Sequence, residues 1–203
     1  MNDKKHWYDG KIYDKFIAPN QDRMFSIIKK MLDEESTVVD IGCGTGRLSF
    51  QLAGHCKKVV GVDLSSKNIK IAKSKLSKMN YPNLSFVHSN GTSFNKDLKY
   101  DYAILTYVIH EMPELERVQL LSQLKTKAHK IIIGDYLTPT PKSFWGGLNV
   151  IVEYLAGKDH YENFKNYVKN GGLHYLASKA DMEIIREIKN QPQTSHITVL
   201  KQK

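Results

Sequence analysis

The sequence predicts an α/β fold: a three-layer sandwich around a seven-stranded, mostly parallel sheet with an antiparallel last strand. Two observations lead there. Short β-branched runs alternate with longer amphipathic ones along the 203 residues, the pattern of strands joined by crossover helices. The last two runs are separated only by NQPQTS (190–195), too short for a right-handed helical crossover, so they should pair antiparallel.

The strands are expected at 37–41 (TVVDI), 58–63 (KVVGVD), 84–88 (LSFVH), 100–107 (YDYAILTY), 130–136 (KIIIGDY), 182–189 (MEIIREIK) and 196–201 (HITVLK). Helices are expected at 23–32, 45–54, 66–79, 113–127 and 162–169, with Ser65 capping the third and Pro113 in the first turn of the fourth. In the third, Ile69, Ala72, Leu76 and Met79 share one face and most of the lysines the other. The connection 137–181 is the longest and least regular, which suits an extra substrate-facing element. Within it, FWGGLNVIVEYLAG carries Phe144, Trp145, Leu148, Ile151, Val152 and Leu155. As a helix it would present a broad apolar face to a lid, a substrate pocket, a dimer contact or, most commonly, the sheet. Beyond it, Tyr161, Phe164, Tyr167 and Val168 follow helical spacing and read as core.

A chain of this length forms one domain, able to bury roughly 70 % of the surface its unfolded form exposes. No run of 18 apolar residues occurs and the amino end, MNDKKHWYDGKIYDKF, is charged, so a soluble, cytoplasmic protein without a membrane span is expected. Cys43 and Cys56 lack metal-site spacing, and no metal is expected. The net charge of +9 is concentrated: Lys67, Lys70, Lys73, Lys75 and Lys78 have no acidic neighbour. A solvated helix face is the plain reading, and an RNA-facing patch the sharper one.

The segment VVDIGCGTGRLSF (38–50) feeds an apolar strand into Gly42, Gly44 and Gly46 and then a helix, which lets backbone approach a nucleotide-like ligand at the sheet's carboxyl edge. The dinucleotide fingerprint G-x-G-x-x-G would need a third glycine where Arg47 stands. Asp40, two residues before Gly42, would oppose a pyrophosphate but suit an ammonium and sulfonium.

The segment resembles the first motif of the class I methyltransferases dependent on S-adenosylmethionine, and later landmarks of that family follow in order across residues 36–136. The resemblance implies S-adenosyl-L-methionine as cofactor, held in a loop of Asp40, Gly42, Cys43, Gly44 and Gly46. Asp63, with Leu64 beside it, would accept the ribose hydroxyls; an aspartate that only caps the helix from Ser65 is the plainer role. Asn90, beside Gly91, stands where the family often has an aspartate for the adenine amine, and a plain turn residue is the alternative. Thr106 and Tyr107 would lie along the methionine portion, with His110 and Glu111 towards the substrate. Tyr13 would belong to a flap over the site, as in quinone-biosynthesis C-methyltransferases.

Methyl transfer needs positioning, and a base only when the acceptor is protonated. The candidates for that base are His110, Asp135 and His160, in falling order; His110 could equally fix its loop, and Asp135 could cap a turn. The expected organisation is a flap (1–35), a cofactor core (36–136), a substrate-facing insertion (137–181) and a terminal strand pair (182–203). The expected activity is methyl transfer to a small-molecule acceptor, an apolar one included. An RNA or protein methyltransferase, a non-catalytic cofactor-binding protein and an NAD enzyme are its rivals. The absence of a DPPY-like tetrapeptide after the fourth strand disfavours nucleic acid. The sequence does not speak to oligomeric state.

Overall fold

The computed structural model describes residues 18–91, 99–191 and 193–203. Its elements are α1 (Ala18–Lys29), β1 (Thr37–Ile41), α2 (Arg47–Ala53), β2 (Lys58–Asp63), α3 (Ser66–Leu76), β3 (Leu84–His88), β4 (Tyr100–Thr106) and a 3₁₀ turn (Ile109–Glu111). They continue with α4 (Glu114–Lys127), β5 (Ala128–Tyr136), α5 (Phe144–Leu155), α6 (Lys158–Asn170), α7 (Gly172–Lys179), β6 (Met182–Lys189) and β7 (Ser195–Gln202).

The strands form one sheet in the order β3-β2-β1-β4-β5-β7-β6, parallel except for β7, which runs antiparallel to both β5 and β6. Because helices cover both faces, central strands are apolar on both sides: Ile131, Ile132 and Ile133 are all fully buried. One face carries α1, α2 and α3 through Met24, Leu48, Leu52 and Ile69. The other carries α4, α6 and α7 through Leu120, Leu124, Tyr167 and Leu176.

Several element limits differ from expectation. Helix α1 spans 18–29 instead of 23–32; its end tightens into bonds from the Met31 amide to the Ile28 carbonyl at 2.9 Å and from the Leu32 amide to the Lys29 carbonyl at 3.2 Å. Helix α3 stops at Leu76, leaving Met79 off its apolar face and 53 % exposed. Its start is as expected, with Ser65 Oγ accepting from the Asn68 amide. The fourth strand ends at Thr106 because Tyr107 takes a positive φ of 54°. Helix α6 is longer than 162–169, and α7 was not anticipated. Helix α5 forms, but its apolar face does not pack on the sheet: Phe144 is 79 %, Ile151 55 % and Leu155 62 % exposed.

Candidate functional site

From β1 the chain runs outward through β2 to β3, then returns to place β4 on β1's other side, so the topological switch point lies between β1 and β4. Ligands of open α/β sheets bind outside the carboxyl ends of the strands at such a point. The glycine loop leaves β1 there and the turn at 107–111 leaves β4, and the two are in contact.

The loop is fixed from below. The amides of Gly42 and Cys43 both donate to the Val62 carbonyl at the end of β2, at 2.7 and 3.1 Å. Gly42 and Gly44 have φ of 72° and 55°, in the left-handed region that favours glycine. Their surroundings differ. A β-carbon on Gly42 would lie 2.3 Å from Val108 Cγ2, so glycine here admits the turn after β4. A β-carbon on Gly44 would meet nothing within 4 Å, so glycine here leaves its face bare.

Asp63 holds that bare segment in place: Oδ2 accepts from the Gly44 amide and Oδ1 from the Ser65 amide, both at 2.8 Å. Leu64 beside it is 48 % exposed. Asp40 sits differently from a ligand-facing anion. It is 1 % exposed, accepts from Ser49 Oγ at 2.6 Å, and burial pushes its carboxyl up to about 7. Its place is beneath the loop, joining β1 to α2. Cys43 is also buried, and burial raises its thiol well above the ordinary range. Lys75, expected on a solvated face, reaches Thr45 Oγ1 in the loop at 3.1 Å.

Asn90 is exposed beyond the end of β3, and Gly91 lies close to Ile41, whose Cγ2 a β-carbon there would approach to 2.7 Å. Thr106 is half-buried at the end of β4. Tyr107 is pinned at both ends, its amide donating to the Gly134 carbonyl at 2.8 Å and its hydroxyl to Ser195 Oγ at 3.0 Å. Tyr13 lies outside the described residues.

His110 and Asp135 come together. His110 Nδ1 is 2.6 Å from Asp135 Oδ1, and the His110 amide donates to Oδ2 at 3.3 Å; the two residues are 1 % and 0 % exposed. On the far side of the ring, Nε2 faces Glu153 Oε1 of α5 at 3.4 Å, an ionic contact without hydrogen-bond alignment. The Tyr136 hydroxyl donates to that same oxygen at 2.9 Å. Burial alone would push the imidazole down, but the facing carboxylates of Asp135 and Glu153 outweigh it and hold His110 well above its ordinary range. These carboxylates favour the protonated ring, in which both nitrogens donate. Burial works against the Glu153 carboxylate too, yet His110 and the Tyr136 hydroxyl hold it below the usual range.

Arg117, 1 % exposed, fastens this turn from α4: Nη2 donates to the carbonyls of His110 at 3.1 Å and Asn163 at 2.6 Å, and Nη1 to Asn166 Oδ1 at 3.0 Å. His160 is half-buried in the first turn of α6. Sequence reasoning missed Glu153 and Arg117. A signal for Glu153 existed, since it is the single charged residue in FWGGLNVIVEYLAG. A cleft of about 270 Å³ at Ser36, Asp101 and Lys130 lies by the strands' amino ends, away from the glycine loop.

A family model described as a methyltransferase domain matches residues 32–196. The chain belongs to the methyltransferase domain family. An uncharacterized methyltransferase of Schizosaccharomyces pombe is 24 % identical over 176 residues, covering 79 % of this chain and 61 % of the relative. A ubiquinone biosynthesis O-methyltransferase of Rickettsia akari is 24 % identical over 154 residues, 75 % of this chain and 60 % of the relative. The chain thus spans about three-fifths of their lengths. Its fold matches the magnesium protoporphyrin IX methyltransferase of Synechocystis PCC 6803, solved with bound S-adenosylhomocysteine. The TM-score is 0.70 and the identity 21 %, over 100 % of this chain and 90 % of that one. Among the described residues, no helix is long and apolar enough to cross a membrane.

Proposed function

We propose that this methyltransferase transfers a methyl group from S-adenosylmethionine to a small-molecule acceptor. The observation that carries the reading is the juxtaposition at the switch point: a bare Gly44 held by Asp63 on one side, and the buried His110–Asp135 pair on the other. The names of two similar proteins, the ubiquinone biosynthesis and magnesium protoporphyrin IX methyltransferases, support the acceptor class.

The residues present fit such a donor. The open face of Gly44 admits close backbone approach, and the exposed Leu64 offers an apolar surface for a flat ring. Each carboxylate oxygen can accept two hydrogen bonds, so Asp63 can keep the Gly44 and Ser65 amides while accepting ribose hydroxyls. Asn90 and Gly91 then border the adenine, and Thr106 and Tyr107 the amino-acid end. When bound, the cofactor supplies the electrophilic methyl on its sulfonium. The chain's contribution is position, which can be worth on the order of 7–11 kcal/mol, and exclusion of water. His110, fixed by Asp135, offers a charge-assisted donor to the acceptor side.

The test is thermal unfolding with S-adenosylhomocysteine or NAD at about 100 times a micromolar Kd. Binding at that excess stabilises by about 2.7 kcal/mol, a Tm rise of roughly 5–11 °C for this size. The rise should occur with S-adenosylhomocysteine and shrink in Asp63→Ala. A rise with NAD alone would overturn the reading, and single-turnover transfer to thiols, phenols, amines and quinones then identifies the acceptor.

A further inference from the structure

Helix α5 inverts the usual pattern of a packed helix. Phe144, Trp145, Leu148, Ile151 and Leu155 are exposed, while Glu153, its one charged residue, is the one side chain of the helix that is buried, at 5 % exposure. An amphipathic helix normally buries the reverse set. Burying a carboxylate is costly unless its charge and hydrogen bonds are matched, so Glu153 must find strong partners inward. It finds two, and both address one atom. The Tyr136 hydroxyl donates to Oε1 at 2.9 Å, and His110 Nε2 lies 3.4 Å from the same oxygen.

These two donors belong to the sheet edge, not to α5. Tyr136 ends β5, and its ring packs edge-on to Phe164 and 4.7 Å from the His110 ring. His110 is locked by Asp135 through Nδ1, which turns Nε2 outward to where Oε1 sits. Nε2 is buried and has no aligned hydrogen bond, so its donor capacity is not satisfied by Glu153. The contacts of His110 with Asp135 and of the Tyr136 ring with Phe164 come from outside α5 and would remain if α5 withdrew.

We propose that Tyr136 Oη and His110 Nε2 form an oxyanion-binding site for the methyl acceptor, and that Glu153 Oε1 occupies it as an internal stand-in until the acceptor displaces it. The ligand class follows from the donors: an anionic oxygen able to accept two hydrogen bonds, as in a carboxylate or a phenolate. Such an acceptor arrives without the proton that a base would have to remove. The neutral, wholly apolar acceptor is the one this site does not serve. No proton is transferred in the exchange: one carboxylate leaves with α5 and one oxyanion takes its place. The assignment of this ligand as the acceptor rests on reading this edge as the methyltransferase's substrate side; the binding site itself does not.

The probe is 4-nitrophenolate, followed by its absorbance and by calorimetry, with benzoate as the carboxylate arm. Glu153→Ala removes the stand-in and should bind either probe at least tenfold more tightly than the wild type. Adding Tyr136→Phe should abolish that gain, and the His110 Nε2 proton, followed by nitrogen-correlated NMR, should move on titration in Glu153→Ala. Equal affinity in wild type and Glu153→Ala, a gain that survives Tyr136→Phe, or an unmoved His110 signal would each overturn the proposal.

Should Glu153→Ala fail to fold, the wild type decides. Saturating 4-nitrophenolate should raise hydrogen exchange across 144–155 several-fold, and unchanged exchange refutes displacement. S-adenosylhomocysteine binding is measured on the same proteins by thermal unfolding and should persist in Glu153→Ala. Its absence in every protein, wild type included, would remove the methyltransferase reading while the phenolate results still judge the oxyanion site.

Discussion

Gly42 and Gly44 provide the sharpest test of the loop, because they share a backbone conformation and differ in surroundings. Alanine at either would be held at positive φ, 72° or 55°, which costs an L-residue about 1–2 kcal/mol. At Gly44 nothing else is added, since the new methyl meets open space. At Gly42 the methyl would fall 2.3 Å from Val108 Cγ2, with Cγ1 at 3.1 Å, so the loop and the turn after β4 must separate. Forced overpacking of this kind adds about 1–3 kcal/mol. The expected losses are therefore about 1–2 kcal/mol for Gly44→Ala and about 2–5 kcal/mol for Gly42→Ala. At roughly 2–4 °C per kcal/mol these become Tm falls of roughly 2–8 °C and 4–20 °C. Thermal unfolding with and without S-adenosylhomocysteine separates the two roles. Gly44→Ala should remain the more stable variant yet lose the ligand-induced rise, because its methyl occupies the face the ligand approaches. A Gly42→Ala protein as stable as Gly44→Ala, or a Gly44→Ala protein that keeps the full rise, would refute the reasoning.

Three further outcomes are expected. Burial raises the Asp40 carboxyl from 3.8 to about 7, so the folded state holds this proton more tightly than the unfolded chain; its contribution to stability is greatest below pH 4 and is lost as pH rises to about 7. Asp40→Asn removes that dependence and should gain on the wild type between pH 5 and 8, by up to roughly 4 kcal/mol in total over the titration, and parallel urea-unfolding profiles would contradict it. Arg117→Lys keeps the charge but cannot span three acceptors with a planar fork, so it should cost about 3–5 kcal/mol in urea unfolding; a loss below about 1 kcal/mol would mean the turn does not depend on it. Ser65→Ala removes the cap on the Asn68 amide and should lower stability by about 1 kcal/mol, leaving the hydrogen exchange of β-strands unchanged while that of the first turn of α3 rises.

What the sequence disclosed follows from how local each signal is. TVVDI, KVVGVD and LSFVH became strands at their expected limits because short β-branched or aromatic runs bounded by polar turn residues or glycine leave little choice of conformation. The terminal pair followed from the short connection. Helix α7 was hidden by its own start: Gly171 and Gly172, at φ 96° and 60°, read as a helix stop, and they are one, but a second helix begins in the same place. The glycine loop was legible because one continuous segment encodes it. Even there the sequence could not tell a carboxylate beside the ligand from one beneath the loop, and Asp40 turned towards Ser49. The buried cluster around His110 was legible only in pieces. His110 stood out through the resemblance carried by its loop and Asp135 as a polar residue ending a strand, but Arg117 and Glu153 reach them from helices, and their roles depend on helix rotation against the sheet. A helix period read from apolar positions alone turns α5 the wrong way round.

The turn at 107–111 is where the two halves of the site meet, and its energetics explain why one arrangement is kept. Tyr107 at positive φ costs of order 1–3 kcal/mol. Its amide bond to Gly134 and hydroxyl bond to Ser195 each return about 0.5–1.5 kcal/mol, enough to offset much of that strain. Val108 then lies against Gly42, Arg117 clamps the His110 carbonyl, and Asp135 fixes the ring. Each contact comes from a different element: the loop after β1, α4 and β5. A displacement of the glycine loop would therefore be felt at His110 through Val108, and the donors Nε2 and Oη are held to strand ends while their present partner rides on a helix with an exposed apolar face. Preorganisation thus resides on the sheet edge, with the two donors, and adaptability on α5.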